Sequence, residues 1–111
     1  MPAFEQGDVV RVPFPYTDRN TRQNRPALVI SGGQVGEGGA LLWVAMITST
    51  ENRQWAGDVV IEDHGAAGLP APSMVRPVKV ATIEAAQASQ LGRVDDVTLG
   101  RVMETVRQIL T

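Results

Sequence analysis

The sequence predicts a mainly β (α+β) fold, a small barrel or sandwich with one C-terminal amphipathic helix. Three observations carry that expectation. Short apolar, β-branched runs alternate with Gly/Pro-rich turns from Gly7 to Val80, the spacing of a small barrel or sandwich. The apolar period then switches, because Leu99, Val102, Met103, Val106, Ile109 and Leu110 recur at helical intervals. Finally, 43% hydrophobic and 20% charged residues are the proportions of a folded globule rather than a disordered chain. At 111 residues the chain is read as one domain, 1–111, able to bury a core without staples.

Each element has a local reason. After Gly7 and Asp8, "VVRVPF" reads as a strand that ends at Pro13 and Pro15. Proline cannot donate to a ladder, which puts this strand near a sheet edge or makes the prolines its terminus. "YTDRNTRQN" is polar and turn-rich, a loop. "RPALVIS" follows as a strand whose unbroken apolar run implies burial on both faces. "GGQVGEGG" is a hairpin connection, and without a Gly-Lys-Ser/Thr ending or a following helix it is no phosphate loop. "ALLWVAMITST", "GDVVIED" and "SMVRPVKV" are three further strands, the last after the "GLPAP" turn. "IEAAQASQL" fits either a short helix or a loop into a final strand. The helix starts after Asp95 or Asp96 as N-cap.

Composition also excludes function classes. No cysteine is present, which removes disulfides, thiolate metal sites and a cysteine nucleophile. The single histidine, His64, is too little for a histidine metal site or paired-histidine catalysis. Glu62, Asp63 and His64 are adjacent and point different ways from a strand end, so a solvated turn fits them better than a metal site. No Gly-x-Ser-x-Gly elbow supports an acyl-transfer triad. The N-terminus has neither a basic region nor an apolar run and is not read as a signal peptide. The longest apolar run, "ALLWVAMI", falls well short of the roughly 20 residues that span a bilayer. A cytoplasmic protein that engages no membrane is the expectation.

A net charge of −2 argues against bulk attraction to duplex nucleic acid. Arg11, Arg19, Arg22 and Arg25 nevertheless crowd the N-terminal part, and Lys79 is the only lysine. Arginine suits bidentate phosphate contact, although codon bias in a GC-rich genome produces the same excess. Trp43 lies inside an apolar strand and is read as core. Trp55, in the polar "ENRQWAG" beside Arg53, is either a loop residue or a platform on which a base could stack. What remains is Arg25 at the start of one strand, Thr48 at the end of the next, and Arg76 in a third. If the first two pair antiparallel through the Gly-rich loop, Arg25 and Thr48 meet at one rim. There they form either a phosphate-holding pair or a plain strand-end contact.

At these residues the sequence resembles the MazF/PemK family of bacterial toxins. "GDVVRVPFPYTD" resembles the family's first strand and loop, "RPALVIS" its second strand, and "ITS" at Ile47 to Ser49 the end of its third. "SMVRPVKVATIE" resembles the later Ser-x-Val-Arg segment, with the terminal helix following in order. The resemblance implies an SH3-like barrel of the MazF/PemK/CcdB type and a toxin of a type II toxin–antitoxin system. It implies a homodimer, a cognate antitoxin, and metal-independent, sequence-selective cleavage of single-stranded RNA with no cofactor. By that resemblance Arg25 and Thr48 are catalytic, and Arg76, Ser49, Asp18 and Arg22 contact substrate. Two positions depart from the family pattern, Val78 and Asn20, where acidic residues are often found, so the proton-transfer groups are not assigned. The alternatives are a toxin of the same barrel superfamily acting on a protein target such as DNA gyrase, or a barrel that binds RNA or protein without catalysis. The gyrase-directed relatives lack the arginine–threonine pair.

Overall fold

A computed structural model describes residues 3–15 and 22–111. Six strands form one antiparallel sheet: β1 (Asp8–Pro15), β2 (Arg22–Val29), β3 (Leu41–Ser49), β4 (Val59–Val60), β5 (Ser73–Glu84) and β6 (Ser89–Arg93). The helix α1 (Asp96–Leu110) follows. The order across the sheet is β4-β5-β3-β2-β1-β6, and the sheet curls into a half-barrel. This is the mainly β fold with a terminal helix that the sequence predicts.

The curl creates two apolar clusters, one on each face. Val10, Val12, Phe14, Ala27, Val29, Val44 and Met46 pack on one face. Val9, Leu28, Ala45, Ile47 and Val75 pack on the other, against Val102 of α1 and against Ile61, Ala67 and Leu69 of the β4–β5 connection. Odd and even residues of each strand therefore serve different clusters. That is why "ALVI" is apolar without a break: Ala27, Leu28 and Val29 are all fully buried.

Four expectations are corrected. Of the two readings of "VVRVPF", the strand terminus holds and the sheet edge does not: β1 ends at Pro15 and is flanked by β2 and β6. Its ladder to β6 stops at Arg11, so Pro13 lies beyond the point where that side needs a donor. Trp43 is not core: it is 53% exposed. Its neighbours Leu42 and Val44 take the buried side, and alternation turns the indole the other way. The strand in "GDVVIED" shrinks to Val59–Val60, between Asp58, whose side chain is taken into an ion pair described below, and Asp63, which starts a turn by accepting from the Ala66 and Ala67 N–H groups. Finally, β2 starts at Arg22, inside the stretch read as loop. "IEAAQASQL" resolves into a 3₁₀ turn, Ala85–Gln87, leading to β6.

Two local devices hold the ends together. Asp95 caps α1, its carboxylate accepting from the Thr98 backbone N–H at 2.7 Å. Close to that cap, a Cβ on Gly92 would collide with the Ala67 backbone, and one on Gly68 with the Leu91 carbonyl. Only glycine lets the 65–69 turn lie flat on β6. In β5 the register jumps from Ala45↔Val80 to Met46↔Arg76, so residues 77 to 79 bulge away from β3. Pro77 opens that bulge, where its missing N–H costs no ladder bond.

Candidate active site

Strands β2 and β3 pair antiparallel, Ala27 opposite Met46 and Leu28 opposite Ala45. Extending that register outward sets Arg25 opposite Thr48. On the flanking strands Val12 pairs Arg25, and Met74 pairs Thr48. Val12, Ala27 and Met46 all belong to one apolar cluster. By the two-residue period, Arg25, Thr48 and Arg76 share that face. The conditional geometry read from the sequence is thus the one the strand register gives: an arginine and a hydroxyl on adjacent strands, one inward-facing position beyond Ala27 and Met46.

Thr48 is buried, 6% exposed, and its Oγ1 accepts a hydrogen bond from Asn52 Nδ2 at 2.7 Å. Ser49 Oγ accepts from the Glu51 backbone N–H at 3.1 Å, which starts the turn that follows β3. Arg25 is half-buried. Asp18 lies outside the described residues, as do Arg19 and Asn20. Of Arg22 the backbone alone is described, as the first residue of β2.

Arg76 is brought to the site but is engaged. Its Nε donates to Asp58 Oδ1 at 3.2 Å, and its Nη2 to Asp58 Oδ2 at 2.9 Å. Nη2 also donates to the Arg53 carbonyl at 2.8 Å. The Trp55 ring lies over the guanidinium, 3.9 Å from ring centroid to Cζ, a cation–π contact. The neighbour of Trp55 is therefore Arg76. The Arg76 side chain is 7% exposed and that of Asp58 fully shielded, and a phosphate would have to displace Asp58 to use this fork. Sequence reasoning missed Asp58 and Asn52, since nothing in "TENRQWAGD" says which polar groups turn inward.

His64 sits in a turn, its carbonyl accepting from the Leu69 N–H at 2.9 Å. Among the described residues no group of three or more His, Cys, Asp or Glu side chains converges in a way that could hold a metal ion. The bulge residue Val78 is half exposed. It lines an apolar groove of about 620 Å³ with Trp43, Val80, Ile109 and Leu110, remote in register from Thr48. No helix among the described residues is long and apolar enough to cross a membrane.

Comparison with solved structures supports the fold. A MazE–MazF complex from Deinococcus radiodurans matches at TM-score 0.74 and 19% identity, over 99% of this chain and 97% of that one. An endoribonuclease from a mycobacterial species, solved with its cognate antitoxin, matches at TM-score 0.74 and 20% identity, over 97% and 95%. The Mycobacterium tuberculosis toxin MazF-mt6 matches at TM-score 0.65 and 20% identity, over 92% and 95%. Among curated protein sequences none matches significantly. The model of the PemK-like, MazF-like toxins of type II toxin–antitoxin systems matches residues 5–110. Nearly the whole chain lies within that match, and the chain belongs to this toxin family.

Proposed function

We propose that this toxin is an endoribonuclease that cleaves single-stranded RNA without a metal ion, with Arg25 and Thr48 as its catalytic residues. The observation that carries the reading is their facing position on β2 and β3, by the register of Ala27 with Met46. RNA brings its own nucleophile. The 2′-oxygen bonds to phosphorus, the P–O5′ bond breaks, the 2′ proton departs and the 5′-oxygen gains one. The products are a 2′,3′-cyclic phosphate and a 5′-hydroxyl. The protein has to hold the 2′-oxygen in line and stabilise charge on the phosphorane oxygens. The Arg25 fork can give two parallel hydrogen bonds to those oxygens, and the Thr48 hydroxyl one more.

The remaining site assignments belong to the same proposal. Ser49 and Arg22 flank the pair in sequence, and Asp18 lies in the preceding segment, where they can contact the nucleotides on either side of the scissile bond. Arg76 reaches substrate only by exchanging Asp58 for phosphate. Partners follow from the family: a cognate antitoxin, as in the two toxin–antitoxin complexes above, and a second copy of this chain. The apolar groove beside Trp43 supports association, because an exposed apolar surface of that kind is typically covered.

The test is incubation of the purified protein with a long single-stranded RNA in excess chelator. Discrete fragments ending in a cyclic phosphate are expected. Intact RNA in chelator, with cleavage restored by magnesium, would overturn the mechanism.

A further inference from the structure

A hydroxyl carries one proton and two lone pairs, whereas the nitrogen of an asparagine amide can only donate. The 2.7 Å contact from Asn52 Nδ2 to Thr48 Oγ1 therefore fixes the direction of the hydrogen bond. The threonine oxygen accepts there, and its own proton is left for another acceptor. None of the described residues takes that proton. Thr48 is buried, so its hydroxyl has little water to exchange with.

Asn52 itself is exposed, yet the segment carrying it is tied at both ends. On the β3 side, its backbone N–H donates to the Ser49 carbonyl at 3.1 Å, and the Thr50 N–H donates to the Pro72 carbonyl at 3.2 Å. On the β4 side, the Trp55 N–H donates to Asp58 Oδ2 at 2.8 Å, and Arg76 grips both Asp58 and the Arg53 carbonyl. These anchors fix the backbone from which the Asn52 side chain reaches Thr48. Such anchoring is the usual means of holding a reacting group to fractions of an ångström.

We propose that Asn52 is a positioning residue, whose amide holds the Thr48 hydroxyl as a donor aimed at the phosphate oxygen beside Arg25. The proposal rests on the RNA-cleavage reading and adds a residue to it. Asn52 touches neither the phosphate nor the attacking oxygen. It acts by denying Thr48 the alternative of turning its proton toward the loop. The Arg76–Asp58 pair is then the brace of that arrangement, which gives the buried arginine a role that does not require it to leave its partner.

The experiment is single-turnover cleavage of an RNA the wild type cuts, with RNA binding and thermal melting measured beside it. The variants are Asn52→Ala, Asn52→Asp, Thr48→Ala and the Asn52→Ala/Thr48→Ala double. Asn52→Ala should slow cleavage about tenfold, the cost of one lost orienting hydrogen bond. RNA affinity and melting should stay at wild-type values. In the Thr48→Ala background the same change should do nothing more, because its effect passes through that hydroxyl. Asn52→Asp is nearly isosteric but reverses the hydrogen bond, since an ionised carboxylate only accepts and would take the Thr48 proton. It should be slower than Asn52→Ala at neutral pH. Relative to wild type it should recover as pH falls and the new carboxyl protonates. The charged groups around that position are Glu51, Arg53, Arg25 and the Arg76–Asp58 pair, and they are common to both proteins. A wild-type rate for Asn52→Ala, an equal loss in both backgrounds, or a fully active Asn52→Asp at neutral pH each overturns the proposal while leaving RNA cleavage standing. Failure of the wild type to cut any RNA overturns both.

Discussion

The Arg76 guanidinium and the Asp58 carboxylate form a forked ion pair, 2.9 Å at its shorter contact, with both side chains almost wholly shielded from solvent. Removing one member strands the other charge where water cannot reach it. Arg76→Met or Asp58→Leu should therefore each lower stability by about 3 kcal/mol, while removing both together should cost much less. Urea unfolding of the two single variants and the double measures this. A single variant as stable as wild type would contradict the burial.

Acid stability carries the imprint of the helix cap. The hydrogen bond from the Thr98 backbone N–H, foremost, holds the Asp95 carboxyl below its ordinary range. A group whose pKa is lower folded than unfolded contributes stability above its unfolded pKa and loses it as pH falls through the folded one. Asp95→Asn keeps a capping side chain without the titration. The melting advantage of wild type over Asp95→Asn should be present at neutral pH and vanish as pH drops through and below the usual carboxylate range. An advantage that grows on acidification would contradict the sign.

Close approach at β6 predicts a steric result. Gly92→Ala places a methyl group against the Ala67 backbone, which cannot rotate away as a side chain could. The variant should lose roughly 1–3 kcal/mol, the usual cost of overpacking. Gly100→Ala, whose Cβ would meet nothing nearby, should gain or stay level in the same denaturation experiment.

Self-association should depend on the groove rather than on a strand edge. Trp43, 53% exposed, and Leu110, 74% exposed, are large apolar side chains on its walls. Light scattering at micromolar concentration should give a dimer mass for the wild type and a smaller one for Trp43→Asp, with the circular dichroism of the two alike. A wild-type monomer would remove the dimer from the account.

Much of the fold was legible because alternation and periodicity are local. The helix after Asp95 and the strand at Ala27 to Val29 declare themselves within a few residues. Trp43 did not, because an apolar strand has two faces and the sequence does not say how far α1 reaches over the second. Of the two readings of the β1 prolines, strand terminus held and sheet edge failed, for a related reason: Pro13 limits one ladder at one point, but which strand fills the rest is decided by β6, far along the chain. In the site, the Arg25–Thr48 relation followed from antiparallel pairing alone. The Arg76–Asp58 pair joins residues 18 apart in sequence, through a loop whose path no pattern encodes. Asn52 was hidden in the same way.

The central claim is that Arg25 stabilises the transition state for RNA cleavage, and Arg25→Lys tests it most directly. Lysine keeps the charge and loses the planar fork. Single-turnover cleavage by the variant should fall roughly a hundredfold or more, the loss expected when one well-placed donor is removed from a developing oxyanion. RNA affinity should fall far less, and thermal melting should be unchanged. A fully folded Arg25→Lys protein that cuts RNA at nearly the wild-type rate would contradict the account.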